Sequence, residues 1–187
     1  MRRFDLLRIR CYRVKKPKSK WDRFSTLLFV GVIGFFLYQR LPGWIANTKV
    51  EGQVVPPFSV SQENSETLSL PLSGKKQVIL FWATWCGPCT VELARFNSAV
   101  KDGDLKAEDI IAISFGEEPQ IVWAEAKKRD YRFVVAADPD FQSQKSLEVY
   151  GTPQTYHVDE DKKITHASMG LGLFSIWRAQ YFLADKT

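Results

Sequence analysis

Residues 77–89 read Gln-Val-Ile-Leu-Phe-Trp-Ala-Thr-Trp-Cys-Gly-Pro-Cys. The run from Gln77 to Trp82 carries no alternation of polar and apolar positions, the mark of a central strand covered on both faces. Two cysteines follow at once, and from Cys86 to about Val100 the sequence predicts a helix with Val91, Leu93, Ala94, Phe96 and Val100 as its apolar positions. A C-x-x-C pair at a strand-to-helix junction reads as redox-active. Unpaired N–H groups and the positive end of the helix dipole stabilise a thiolate at the first cysteine. Cys86 is therefore expected to be the attacking, solvent-facing thiol. Cys89, one turn later, is placed to resolve a mixed disulfide from a more buried position. Pro88 is tolerated because the first helical turn needs no N–H there.

Other uses of the pair fit less well. Structural zinc needs about four ligands, and beyond Cys86 and Cys89 this region offers only His157 and His166, both in predicted strands. A c-type haem site requires a histidine directly after the second cysteine, where this chain has Thr90. A static disulfide closing so short a loop contributes little through chain entropy.

Outward from the motif, strands and helices alternate. Phe58 to Val60 and Leu68 to Leu70 read as two short strands around a polar turn. Ile110 to Phe115 and Phe133 to Ala137 read as further strands, with a helix from Gln120 to Asp130 between them. A short helix at Ser143 to Val149 precedes strands at Gln154 to Val158 and Ile164 to Met169, and a last helix covers Leu173 to Leu183. Such alternation makes a βαβ sheet, to which the closing hairpin adds antiparallel edge strands. No repeat or low-complexity segment interrupts it. With 187 residues, 45% hydrophobic and three cysteines, the chain fits one α/β domain and excludes wholesale disorder, a disulfide-stapled scaffold and a collagen-like protein.

The net charge of +5 is unevenly placed. Residues 1–41 hold 11 Lys and Arg against 2 Asp and Glu, a net +9, whereas residues 42–187 hold 15 against 19, a net −4. The basic run at residues 1–23 abuts an uncharged stretch from Phe24 to Tyr38, with Arg40 closing it. At ~1.5 Å per residue, residues 24–41 reach about 27 Å, just under a ~30 Å hydrocarbon core. Trp21, Tyr38 and Trp44 sit where an aromatic belt falls. A cleaved signal peptide and a buried core helix are the competing readings. The long basic region, Arg40 at the exit and the absence of an amphipathic pattern favour an uncleaved signal anchor. The expected organisation is a basic cytoplasmic tail (1–23), a transmembrane signal anchor (24–41), a linker (42–57) and a catalytic domain (58–187) outside the cytoplasm, in a single-pass inner-membrane protein. Cys11 then lies in the cytoplasm as a plain free thiol. The anchor accounts for the basic run, so nucleic acid is not expected as a partner and the lipid bilayer is.

The segment FWATWCGPC resembles the active-site strand and motif of thioredoxin-fold proteins. Together with Pro56-Pro57-Phe58 at the domain entry, Glu92 three residues after the second cysteine, and Gly151-Thr152-Pro153-Gln154-Thr155 leading to Val158-Asp159, it is similar to the TlpA/ResA/DsbE-like branch of membrane-anchored thiol:disulfide oxidoreductases. The similarity covers about residues 50–183. It implies a thioredoxin-like α/β fold, a central mixed β-sheet flanked by helices, with an N-terminal transmembrane helix before it.

Carried onto this sequence, the resemblance places Pro153 at the family's cis-proline, facing the disulfide, with Thr152 offering backbone hydrogen bonds to an extended substrate strand. Read without it, Thr152-Pro153 is a plain edge-strand start. The resemblance also makes Glu92 a candidate for proton transfer with Cys89, although an acid in such a helix is usually solvated surface. Thioredoxin itself has a buried aspartate where this chain has Leu80. Trp85, Gly87 and Pro88 border the thiol as substrate-binding residues, Trp82 packs under the sheet, and His166, Met169 and Gly170-Leu171-Gly172 read as fold rather than site.

The expected activity is reduction of protein disulfides outside the cytoplasm, since Gly-Pro within the motif resembles reducing thioredoxins. No cofactor is implied beyond the redox-active Cys86–Cys89 pair, and no metal. The resemblance implies a membrane electron donor of the DsbD/CcdA type and protein thiol or disulfide clients, an apocytochrome c of cytochrome c biogenesis among them. A disulfide oxidase or isomerase is the same-class alternative. A thioredoxin-fold copper chaperone similar to the Sco group is the other, and the two-residue spacing between the cysteines argues against it.

Overall fold

The computed structural model describes residues 24–35, 38, 49–63 and 66–184. The basic tail with Cys11, the end of the expected anchor and the Leu41-Pro42-Gly43 exit lie outside them. The chain divides into two units, residues 1–41 and 42–187.

In the first unit, residues 24–35 are helical, and their large apolar side chains from Phe24 to Phe35 are exposed around the helix. Among the described residues no helix is long and apolar enough to cross a membrane.

The second unit is a seven-stranded sheet: β1 (Phe58–Ser61), β2 (Thr67–Leu70), β3 (Gln77–Trp82), β4 (Ile110–Phe115), β5 (Val134–Asp138), β6 (Gln154–Val158) and β7 (Ile164–Met169). Its strand order is β2-β1-β5-β4-β3-β6-β7. β3, β4 and β5 run parallel, β1 and β6 pair antiparallel with β5 and β3, and β2 and β7 pair antiparallel with β1 and β6. The helices are α1 (Gly87–Lys101), α2 (Pro119–Lys128), α3 (Gln142–Leu147) and α4 (Ser175–Ala184), with a 3-10 turn at Ala107–Asp109. This is a thioredoxin-like α/β arrangement with a mixed central sheet.

The two-residue period of the strands sorts the core into two clusters. Ile79, Phe81, Ile111, Ile113, Tyr156 and Val158 join Leu147 of α3 in one. Val78, Leu80, Trp82, Ile110 and Ala112 join Leu93 and Phe96 of α1, Val122 of α2 and Ala179 of α4 in the other. Every residue of β3 is buried, which is why its sequence lacks alternation. That full burial fixes the strand from whose end the cysteines issue.

Several other boundaries shift by one or two residues, and three differences bear on the site and its surroundings. Cys86 is the cap of α1 rather than its first residue, with extended backbone (φ −86°, ψ 100°). α4 begins at Ser175 rather than Leu173, because the carbonyls of Gly172 and Leu173 accept hydrogen bonds from Arg95 instead of continuing a helix. The third lies in the expected linker, whose described part belongs to the domain. Val50 and Val55 are buried, and Val54 bridges to Lys163. The amide of Gly52 donates to Ile164 (2.7 Å), and that of Ile164 donates back to Gln53 (2.9 Å). Hydrophobic residues at 50 and 55 supply the burial that a free tether would lack.

Candidate active site

The last turn of β3 delivers Ala83, Thr84 and Trp85 to the cap of α1. The Cys86 amide donates to the Ala83 carbonyl (3.1 Å), closing the turn. Cys86 Sγ in turn accepts from the Cys89 amide (3.2 Å). A cap that accepts from the first helical turn satisfies an otherwise orphaned donor. In the reduced protein the same N–H stabilises a Cys86 thiolate. Cys86 and Cys89 form a disulfide with Cα atoms 5.2 Å apart.

Cys89 is 0% exposed and Cys86 6%, so the order of accessibility follows expectation while the expected solvent-facing character of Cys86 is corrected to a small opening. The reason is packing: both sulfurs belong to the cluster that contains Trp82, Leu93 and Phe96. Next to them Trp85 is 78% exposed, and Gly87 and Pro88 are exposed as well. These three residues form the open rim of the turn.

Glu92 follows Cys89 by three residues, so both project from the same face of α1. Glu92 is 1% exposed, whereas an acid on a solvated helix face would be open to water. A buried carboxylate demands a partner, and Arg95 Nη1 supplies it at 3.1 Å. Arg95 is itself fastened across the fold: Nη1 donates to the Gly172 carbonyl (2.5 Å) and Nη2 to that of Leu173 (3.1 Å). Gly172, read from sequence as fold alone, therefore anchors the cation beside Glu92.

A second carboxylate holds the other side of the turn. Glu117, in the loop after β4, accepts from the Thr84 amide (2.9 Å), the Thr84 hydroxyl (2.5 Å) and the Ser114 hydroxyl. Gly116 makes this possible with φ +69°, and a Cβ there would lie 2.3 Å from the Phe141 ring. Sequence reasoning found neither Arg95 nor Glu117. The i,i+3 spacing of Glu92 and Arg95 was a readable signal, but the contact of Glu117 with Thr84 crosses 33 residues and left none.

The Thr152–Pro153 peptide bond is cis. β6 pairs antiparallel with β3, with Gln154 opposite Phe81. Continuing that register by one residue sets Pro153 beside Trp82, at the end of the sheet from which the cysteine turn leaves. The loop is tied on both sides: the Gly170 amide donates to the Pro153 carbonyl (2.7 Å), and the Tyr150 amide donates to Gln154 Oε1 (3.1 Å). His157 and His166 face each other across β6 and β7, with ring centroids 5.6 Å apart, away from this turn in the register. Among the described residues no group of three or more His, Cys, Asp or Glu is arranged to hold a metal.

A thioredoxin-like sheet with a Cys-Gly-Pro-Cys disulfide at the mouth of α1 defines a thiol:disulfide oxidoreductase fold and site. The chain belongs to the AhpC/TSA family, whose model matches residues 52–167. It is 30% identical over 159 residues to the thiol-disulfide oxidoreductase ResA of Bacillus thuringiensis subsp. konkukian, covering 84% of this chain and 91% of that one. It is 26% identical over 158 residues to the thiol:disulfide interchange protein DsbE of Pseudomonas aeruginosa, covering 80% and 84%. The crystal structure of StoA from Bacillus subtilis superposes with a TM-score of 0.59 at 21% identity, over 69% of this chain and 97% of that one, a likeness of fold. The chain is thus a thiol-disulfide oxidoreductase of the ResA/DsbE type, with Cys86 and Cys89 as its pair.

Proposed function

We propose that the protein is tethered to the inner membrane by residues 24–41, faces the periplasm, and reduces disulfides of exported proteins. The observation that carries the thiol-exchange chemistry is the asymmetry of the pair, a slightly open Cys86 capping α1 above a sealed Cys89, and Gly87-Pro88 between them, which resembles reducing thioredoxins, supports the reductive direction. In the reduced protein the Cys86 thiolate attacks one sulfur of a client disulfide, and the client's other sulfur leaves as a thiolate and takes up a proton. Cys89 then gives its proton to Glu92 and attacks Cys86 Sγ, which forms the internal disulfide and expels the client's remaining sulfur as a thiolate that takes up the proton from Glu92. Two electrons pass to the client, and a membrane donor of the DsbD/CcdA type must return them, with one proton to restore the Cys89 thiol beside the Cys86 thiolate. Trp85, Gly87 and Pro88 form the rim against which the client lies, and Thr152 and Pro153 pair with its extended backbone. An apocytochrome c, whose haem-binding thiols must be reduced, is a client of fitting chemistry.

The uncharged stretch 24–38 between basic flanks, and the exposed apolar helix within it, support the tether. The reductive direction is tested by the reduction potential of the full chain carrying Cys11→Ser, equilibrated with thiol buffers. The expected value lies near the reducing thioredoxin range, about −270 mV, and a value near the ~−120 mV of DsbA makes the protein an oxidase instead. Cys89→Ala in the same background should accumulate mixed disulfides with clients through Cys86. Tight Cu(I) binding with no reduction of insulin would favour the copper chaperone.

A further inference from the structure

Helix α4 turns aromatic side chains away from the protein. Its buried positions are Ser175 and Ala179, and Ile176, Phe182 and Leu183 pack beside them on the core. A surface helix ordinarily carries polar residues opposite such a stripe. Here the opposite side holds Trp177, 63% exposed, and Tyr181, 68% exposed, their rings stacked with centroids 6.0 Å apart. Phe174 (67%) and Leu173 (87%) continue the row in the preceding turn. Positions 174, 177 and 181 recur at three- and four-residue intervals and so share one face. Contiguous exposed apolar surface of this kind marks a contact with something outside the chain.

Three observations select what that contact is. Trp and Tyr combine an apolar ring with a polar edge and concentrate at the headgroup level of bilayers. The charge pattern agrees: from Leu171 to Ala184 there is no Asp or Glu, and the one charged residue is Arg178, although residues 42–187 carry a net −4. A stretch with a cation and no acid suits anionic headgroups.

The third observation is where the chain enters the domain. Glu51 lies 3.0 Å from His166 Nδ1, and Arg178 Nη1 lies 2.6 Å from His166 Nε2. The first described residues of the domain are thereby joined through His166 to the helix that bears the aromatic row. The seven residues 42–48 separate Lys49 from the end of the apolar segment at Leu41, and seven residues extend to at most about 25 Å.

We propose that the outer face of α4, formed by Phe174, Trp177 and Tyr181, rests in the headgroup zone of an anionic bilayer and fixes the orientation of the catalytic domain. The inference rests on the tethered reading above and adds to it a second, peripheral contact. Its consequence for the reaction is positional. The segment that leads into α4 donates from Gly170 to Pro153 and accepts from Arg95 at Gly172 and Leu173. Orienting α4 therefore orients the cysteine turn toward whatever approaches along the membrane.

The test uses the full chain, labelled with fluorotryptophan and reconstituted into bilayers of phosphatidylethanolamine and phosphatidylglycerol, observed by fluorine NMR. Loss of one resonance in Trp177→Phe assigns Trp177, and Trp85 and Trp82 are assigned in the same way. Lipid carrying a headgroup nitroxide should broaden Trp177 several-fold more than a soluble gadolinium chelate does, whereas Trp85 should show the reverse order. In Phe174→Glu/Tyr181→Glu the Trp177 resonance should change to the Trp85 pattern, while an unshifted Trp82 resonance reports an intact core. A Trp177 that is broadened by the chelate as strongly as Trp85 overturns the proposal. So does a Trp177 protected from both reagents only when several copies share one bilayer, which would make the face a contact between two chains. Flotation with vesicles after an alkaline wash separates the two readings. A chain that floats with Trp177 open to the chelate sinks the α4 contact alone, and a chain that does not float sinks the tether and the contact together.

Discussion

Glu92 and Glu117 flank the cysteine turn from two regions of the fold, and they are held in opposite ways. Glu117 receives three donors, the Thr84 amide and the hydroxyls of Thr84 and Ser114, none of which takes part in thiol exchange. Glu92 is more deeply buried, shares the cysteine face of α1, and is bonded at Oε2 by Arg95. A carboxylate surrounded by fixed donors is a clamp on the backbone. One buried on the cysteine face of a helix and held by a single cation keeps fewer fixed donors, which is what the proposed proton transfer needs. Two residues of the same chemistry thus differ in their surroundings, a clamp of three donors around Glu117 and one cation at Glu92.

Substitutions can break or sharpen that contrast. The largest effect is expected from Cys86→Ala, which removes the nucleophile and should bring insulin reduction to background. Glu92→Gln keeps the shape and removes the titrating group. It should slow turnover by about a hundredfold, within the ~10²–10⁴ typical of acid–base catalysis, and displace the pH profile of thiol alkylation. An unmoved profile would remove Glu92 from the chemistry and leave it a structural partner of Arg95.

Glu117→Ala should do the converse. Leaving the Thr84 amide and Ser114 hydroxyl unpaired costs about 2–3 kcal/mol of stability, measurable by denaturant unfolding, with the pH profile of alkylation unchanged. A displaced profile would show that Glu117 also reaches the thiols. Gly116→Ala should cost a similar amount, since it places a side chain at φ +69° against the Phe141 ring.

The smallest effect lies away from the turn. Burial, with the nearby His166 and Arg178 charges adding to it, pushes His157 down to about 3 from an ordinary 6.5. Both of its ring nitrogens are without a hydrogen-bond partner. Between these values the unfolded chain binds a proton that the folded one refuses. Stability should therefore fall as pH drops below about 6.5, by up to ~1.4 kcal/mol per pH unit. His166, lowered chiefly by burial as well, acts in the same direction. His157→Phe should flatten the slope of the denaturation midpoint between about pH 6.5 and 4.5 by close to one proton, and an unchanged slope would mean that His157 is protonated in the folded state.

Much of the fold was legible because it is written locally. A buried strand without alternation, a C-x-x-C at its end and the next strand–helix units define a βαβ frame from periodicity alone, and β3, β4, β6 and β7 fall at the residues expected. The misjudged parts depend on distant partners. Residues 49–57 resemble a linker until β7 offers an edge to pair with. Leu173 looks helical until Arg95 claims its carbonyl.

The sequence by itself determined the reaction class, since two cysteines at this spacing on a helix N-terminus suit thiol exchange and little else. It also determined the partition of charge between a basic, apolar N-terminal segment and an acidic domain. Only the tertiary structure decided that Glu92 is buried against Arg95 on the cysteine helix and that Glu117 clamps the turn. It also decided that α4 and the turn before it keep three aromatic rings outside the core. The physical reason is that hydrophobic periodicity and helix capping act over a few residues, whereas the surroundings of a charge or an exposed ring are supplied by segments brought together across the whole chain.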